Sequence, residues 1–195
     1  MTPAPTHPHP GWFESPSGAA RTALLLVLLA VCSCSPTGSG TASGPAAADP
    51  SISTVPMQVT FYAALDNDPP GSTKIAYPIL HPTAAGTGTA TDPITFATDQ
   101  RELPPGTRIY HPELRKYFLM EDDCAECDTD WTTHHRAHID LWAGPATTTT
   151  VLTCENQLTT EGRTGIEINP PPTRPVDTTP LFNEQTTTCH TGPSG

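Results

Sequence analysis

The chain has little positive charge. Nine Lys and Arg stand against 20 Asp and Glu, a formal net charge of −11. A surface of that sign disfavours phosphate, and so argues against nucleic acid and anionic lipid as partners; it suits a neutral sugar or a cationic ligand. The chain also lacks a membrane-spanning run. Its N-terminal apolar stretch, Ala23–Cys32 (ALLLVLLAVC), falls well short of the roughly 20 apolar residues a spanning helix needs, and small polar residues follow it instead of a stop-transfer pattern. Helix-friendly composition is missing too. The 24 prolines, 14 glycines and long Thr-rich patches exclude a mainly helical protein and favour short strands and ordered loops. There is no internal repeat, and no cofactor is expected.

What is present at the N-terminus is a charge, Arg21, followed by the short apolar run, which is the order of an export signal. The run closes at Val31-Cys32-Ser33-Cys34, small residues followed by Cys. This resembles the lipobox of bacterial lipoproteins, in which the Cys becomes the first mature residue and carries a lipid. Cys34 fits that place better than Cys32, because Ser33 suits the position before the cut better than Val31. The alternative is an ordinary cleaved signal and a freely secreted product. Residues 1–33 are thus read as leader and 34–54 as a tether of Gly, Ser, Pro and Ala, too poor in large apolar groups to fold. Residues 55–195 are read as a single domain, long enough for a real core and expected to be a monomer.

Four cysteines then remain: Cys124, Cys127, Cys154 and Cys189. In an exported chain an even number reads as two disulfides. Three pairings are possible, the simplest being Cys124–Cys127 with Cys154–Cys189, the second of which would tie the C-terminal tail to the domain. A zinc reading competes, since Cys124, Cys127, His134, His135 and His138 form C-x-x-C followed by H-x-x-x-H. Its arms lie closer together than in zinc fingers, and exported cysteines usually oxidise, so no metal is expected. Short runs of alternating or β-branched residues recur between Pro/Gly turns: Met57–Ala63, Ile94–Thr98, Thr107–Tyr110, Tyr117–Met120, His138–Trp142, Thr149–Thr153 and Gly165–Ile168. Only Asp99–Leu103 and Cys154–Leu158 suit a short helix. Some seven short strands around one core predict a small barrel or sandwich.

Three aspartates punctuate these strands. Asp99 follows Ala97-Thr98 and precedes Leu103-Pro104-Pro105-Gly106-Thr107; Asp122 sits in Glu121-Asp122-Asp123; Asp140 sits in Ile139-Asp140-Leu141-Trp142. With the Gly86-Thr87-Gly88-Thr89 run, this order over about Val59–Gly144 resembles the 3D, or three-aspartate, domain of bacterial cell-wall proteins. It is similar to the double-psi β-barrel of lytic transglycosylases and, more distantly, of expansins and some endoglucanases. Asp123-Cys124 stand where that pattern has Thr-Gly, and an insertion holding Cys127, Asp130 and Trp131 separates the second and third aspartates. The resemblance implies a mainly β, small six-stranded double-psi barrel with short helices and an extended, disulfide-tied C-terminal tail.

It also implies a function: a carbohydrate-active protein outside the cytoplasm, acting on cell-wall polysaccharide such as peptidoglycan and tethered to the membrane through its lipid. In the transglycosylases of that family one Asp does the proton work and a hydroxyl of the sugar attacks, a role that maps to Asp122. Asp99 and Asp140 would approach it across the barrel, and crowded carboxylates raise one another's pKa. Tyr62 and Trp131 offer faces for a sugar ring, whose C–H face is apolar, and His138 is the histidine placed to touch a substrate. Blander roles compete. Asp99 could cap a short helix, Asp140 could serve loop backbone, Glu121 and Asp123 could be merely solvated, and Trp142 could pack in the core. The rival functions are a non-catalytic, expansin-like polysaccharide-binding barrel and a disulfide-stabilised interaction or inhibitor protein.

Overall fold

Alternation within the first strand starts the architecture. In β1 (Ser53–Ala63) Met57, Val59 and Phe61 are buried while Gln58 and Thr60 stay half-buried, the period of two expected when one strand face meets a core. The structure, a computed structural model, describes residues 52–160 and 162–193. The leader, Cys34 and all but the end of the tether lie outside the described residues. The first strand begins at Ser53, two residues before the expected domain start.

Five further strands close a barrel with β1: β2 (Ile94–Ala97), β3 (Arg108–His111), β4 (Lys116–Asp122), β5 (His138–Gly144) and β6 (Thr164–Ile168). The order around the barrel is β1-β5-β2-β4-β3-β6. β1 runs parallel to β5, and β2 parallel to β4; the remaining neighbours are antiparallel. Parallel partners demand crossover connections, so the chain crosses the barrel ends instead of meandering. The fold read from the sequence, a small mainly β six-stranded barrel with short helices and a disulfide-tied tail, is the fold observed. Phe96, Ile109, Phe118, Met120, Ile139, Leu141 and Ile166 fill its interior, each fully buried. The Gly-rich loop before β2 needs glycine at position 86. Its φ is +109°, and a Cβ there would stand 2.2 Å from the Pro93 carbonyl oxygen.

Two local readings are corrected. Thr149–Thr153 is not a strand; α2 (Thr150–Leu158) covers it. Val151, Cys154, Glu155 and Leu158 fall at helical spacing and are buried, so packing of that face overrides the β-branched residues' preference. Asp99–Leu103 is not a helix but a turn, closed by the Glu102 and Leu103 amides donating to the Asp99 carbonyl. The insertion after β4, left without a predicted element, forms α1 (Ala125–Thr129) and a π-helical turn (Asp130–His134).

The cysteines pair as Cys124–Cys127 and Cys154–Cys189. The first pair removes the thiolates a zinc site would need. The second ties α2 to a small ribbon of β7 (Phe182–Asn183) and β8 (Thr188–Cys189). Before that ribbon the tail runs along β3 and β4, accepting hydrogen bonds from the hydroxyls of Tyr110 and Tyr117 and from the buried Lys116 ammonium.

Candidate functional site

The site is built around one small residue. Ala97, the last residue of β2, pairs with Asp122 of β4 on one side and with Asp140 of β5 on the other. Adjacent strands lie about 4.8 Å apart, so the two aspartates stand about 9–10 Å apart at the backbone with only a methyl group between them. Both line an open groove of about 770 Å³, together with Thr60 and Tyr62 of β1 and Asp66 in the turn that follows. Cys124 lines it as well, so the Cys124–Cys127 bridge holds the start of α1 at its rim. Lys74 is the one basic side chain among the described residues that line the groove.

The two carboxyls have different surroundings. Asp122 is buried and accepts three hydrogen bonds: from the amides of Ala76 and Asp123 at 2.9 Å each, and from the Tyr62 hydroxyl at 3.0 Å. Loss of water raises its pKa, and the three donors partly offset that rise by favouring the ionised form. Asp140 has one side-chain partner, Thr60 Oγ1 at 2.8 Å. Burial pushes it up to about 7, Thr60 opposes only weakly, and the charges of Asp66, Glu126 and Asp122 add to the rise. A carboxyl of that kind keeps its proton near neutrality, while one wrapped in donors serves as an acceptor.

The other expected site residues fall elsewhere. Asp99 is fully buried, but its carboxylate is taken by the Arg101 side chain and the Arg101 amide, and it does not line the groove. Hydrogen bonding from Arg101 outweighs the cost of burial and holds its pKa low. The three aspartates therefore do not meet; two of them share the groove. Tyr62 lines it but spends its hydroxyl on Asp122, and its ring packs edge-on against Trp142 at 5.2 Å. It shapes the wall and has little face left for a sugar. Trp131 is half-buried in the π-helical turn and is not part of the lining. His138 is 2% exposed and sits behind Thr60, with its ring nitrogens on Thr60 and Asp130. Trp142 is in the core.

Sequence reasoning missed several groups. Thr60 could have been found, because it lies two residues before Tyr62 and so shares its strand face. Glu121 is not solvated. It is fully buried, accepting from the amides of Ile79, Leu80 and His81, the Thr95 hydroxyl and the His81 ring. Glu155 on α2 is buried with one oxygen unpartnered, and burial next to Asp66 and Asp140 pushes it up to about 8. Nothing local in either sequence signals burial. Among the described residues, no cluster of three or more His, Cys, Asp or Glu could hold a metal ion.

Fold and site together define a small, disulfide-tied six-stranded barrel with an acidic groove at the ends of β2, β4 and β5. The chain belongs to the family of the DDB_G0273701 N-terminal domain, which it matches over residues 54–190. It is 45% identical over 133 residues to the Dictyostelium discoideum uncharacterized protein DDB_G0273701/DDB_G0273221, an alignment covering 68% of this chain and 58% of that protein. The chain thus spans less than two thirds of that relative's length. No solved structure matches it.

Proposed function

We propose that this protein is an extracytoplasmic, carbohydrate-active barrel that cleaves a cell-wall polysaccharide, with Asp140 as the proton donor. The observation that carries the reading is the pair of carboxyls flanking Ala97 in one open groove, one with a single hydroxyl partner and the other held by three donors. Glycoside cleavage needs such a division: one carboxyl protonates the leaving oxygen while another acts as base or nucleophile. The proton-donor role passes here from Asp122 to Asp140, and Asp122 becomes the carboxylate partner. Asp99, spent on Arg101, has no part in the step. The groove's acidity suits a neutral or amino-bearing glycan. The two disulfides support an oxidising compartment, and the apolar run ending at Cys34 supports export with a lipid at that residue.

The test is incubation of the purified domain with peptidoglycan and with neutral β-glucans. Release of soluble fragments by wild type and not by Asp140→Asn is the expected result. Co-sedimentation without product, equal in both proteins, would replace cleavage with glycan binding alone. Neither binding nor release on any glycan would end the carbohydrate reading. For the anchor, labelled fatty acid should be incorporated into the full chain and lost with Cys34→Ala.

A further inference from the structure

His138 lies outside the groove, yet its contacts fix the protonation of the residue inside it. Nδ1 is 2.8 Å from Asp130 Oδ2, and Asp130 also takes two hydrogen bonds from the Arg136 guanidinium. Burial alone would raise the Asp130 carboxyl, but Arg136 and His138 outweigh it and hold the group ionised. An ionised carboxylate only accepts, so Nδ1 must carry a hydrogen. Nε2 is 3.0 Å from Thr60 Oγ1, and the same oxygen is 2.8 Å from Asp140 Oδ1. The hydroxyl has one proton for two neighbours.

Two arrangements satisfy every contact. With neutral imidazole, Nε2 is bare, Thr60 donates to it, and Asp140 must donate to Thr60, which makes Asp140 a carboxylic acid. With ionised Asp140, Thr60 donates to the carboxylate and Nε2 must donate to Thr60, which makes His138 an imidazolium. The two differ by one proton handed through the hydroxyl, one O–H breaking as another O–H or N–H forms. If the proton leaves altogether, two acceptors compete for the one hydrogen of Thr60, and the buried imidazole nitrogen is the one left short.

We propose that Asp140, Thr60 and His138 form a single proton-holding unit in the groove wall, with Asp130 as the positioning residue that fixes which imidazole nitrogen faces it. The proposal rests on the reading that Asp140 faces the substrate. Its role there is to keep the groove-side acid loaded. Burial lowers the His138 pKa despite Asp130, so the proton resides on Asp140 in the resting unit. The other charged groups facing the unit are Asp66, Asp122, Glu126 and Glu155 around Asp140, and Arg136, Glu126 and Glu102 around His138. Glu102 itself is pushed up to about 7 by burial, so a bulk titration would blend it with Asp140, and site-resolved signals are needed.

The experiment is NMR titration of the Asp140 carboxyl ¹³C and the His138 imidazole ¹⁵N signals in the intact domain. In wild type, the His138 nitrogens should report hydrogen on Nδ1 and should respond in the same step as Asp140. Asp130→Asn can donate to Nδ1, which moves the hydrogen to Nε2 and favours ionised Asp140. Its titration midpoint should fall by about one pH unit or more. Should that variant not fold, Thr60→Val, which keeps the shape and deletes the hydroxyl, must abolish the common step, and Thr60→Ser must restore it. An unchanged Asp140 midpoint in Asp130→Asn, or a common step that survives in Thr60→Val, overturns the proposal. The proposed cleavage fails separately: full glycan release by Asp140→Asn removes that function and leaves the titration result standing.

Discussion

Two flanks of the barrel bury charge in opposite ways. On the β3–β4 flank the Lys116 ammonium has no exposure, and the tail supplies the carbonyls of Asp177 and Thr179 to receive it. The neighbouring hydroxyls of Tyr110 and Tyr117 also end on tail carbonyls. In the groove, Asp140 is left with one hydroxyl, and Glu155, outside the lining but within reach of the charges of Asp66 and Asp140, has an unpartnered oxygen. Burial lowers the Lys116 pKa too, but two carbonyls receive its hydrogens and tie the tail to the barrel, whereas a carboxyl with one partner or none takes up a proton instead. The difference marks the first flank as scaffold and the second as the place where protons can move.

The strongest test of that contrast is Asp140→Asn. It should cut glycan release by about 10²–10⁴-fold, the usual worth of a general acid, without lowering thermal stability. A loss of folding alongside activity would make Asp140 part of the scaffold. Opening the tail bridge with Cys154→Ser and Cys189→Ser should do the reverse. Stability in urea should drop by about 2–4 kcal/mol, as expected for a loop closed across a sequence separation of 35, while the Asp140 titration stays near 7.

Glu155→Gln sharpens the comparison through pH. A carboxyl raised from 4.5 to about 8 binds its proton more tightly in the folded state, so its contribution is present below the unfolded value and is lost as pH rises toward 8. Wild-type melting temperature should therefore fall over that window. The Gln variant should fall less, because it has no proton to lose over that window. Asp99→Ala should have the smallest effect, about 1 kcal/mol from losing the turn's side-chain cap, with glycan release unchanged. A larger effect on release than on stability would return Asp99 to the site.

Much of the barrel was legible because strand patterning is local. Met57–Ala63, Ile94–Ala97 and His138–Trp142 carry their alternation and β-branched residues on their face. The second half of α2, Cys154–Leu158, was legible as helix; its first turn was not, because a Thr-rich run gives no sign that Val151 will be pressed onto the barrel. At the site, Asp122 and Asp140 stood out, with Asp99, through the resemblance to the three-aspartate pattern. That Ala97 would place them on either side of itself depends on β2 pairing parallel to β4 and antiparallel to β5, strands distant from it in sequence. Asp99 looked equivalent to both until Arg101, two residues on, proved to hold it.

The sequence by itself determined the class of fold, the scarcity of helix, the acidic surface and the supply of cysteines, since these follow from composition and from periodicities of a few residues. The tertiary structure alone decided which carboxyl keeps a proton. That outcome depends on how much water is removed from each group and on which donor happens to reach it. Thr60 meets Asp140 across 80 residues of chain, a distance that no local pattern spans.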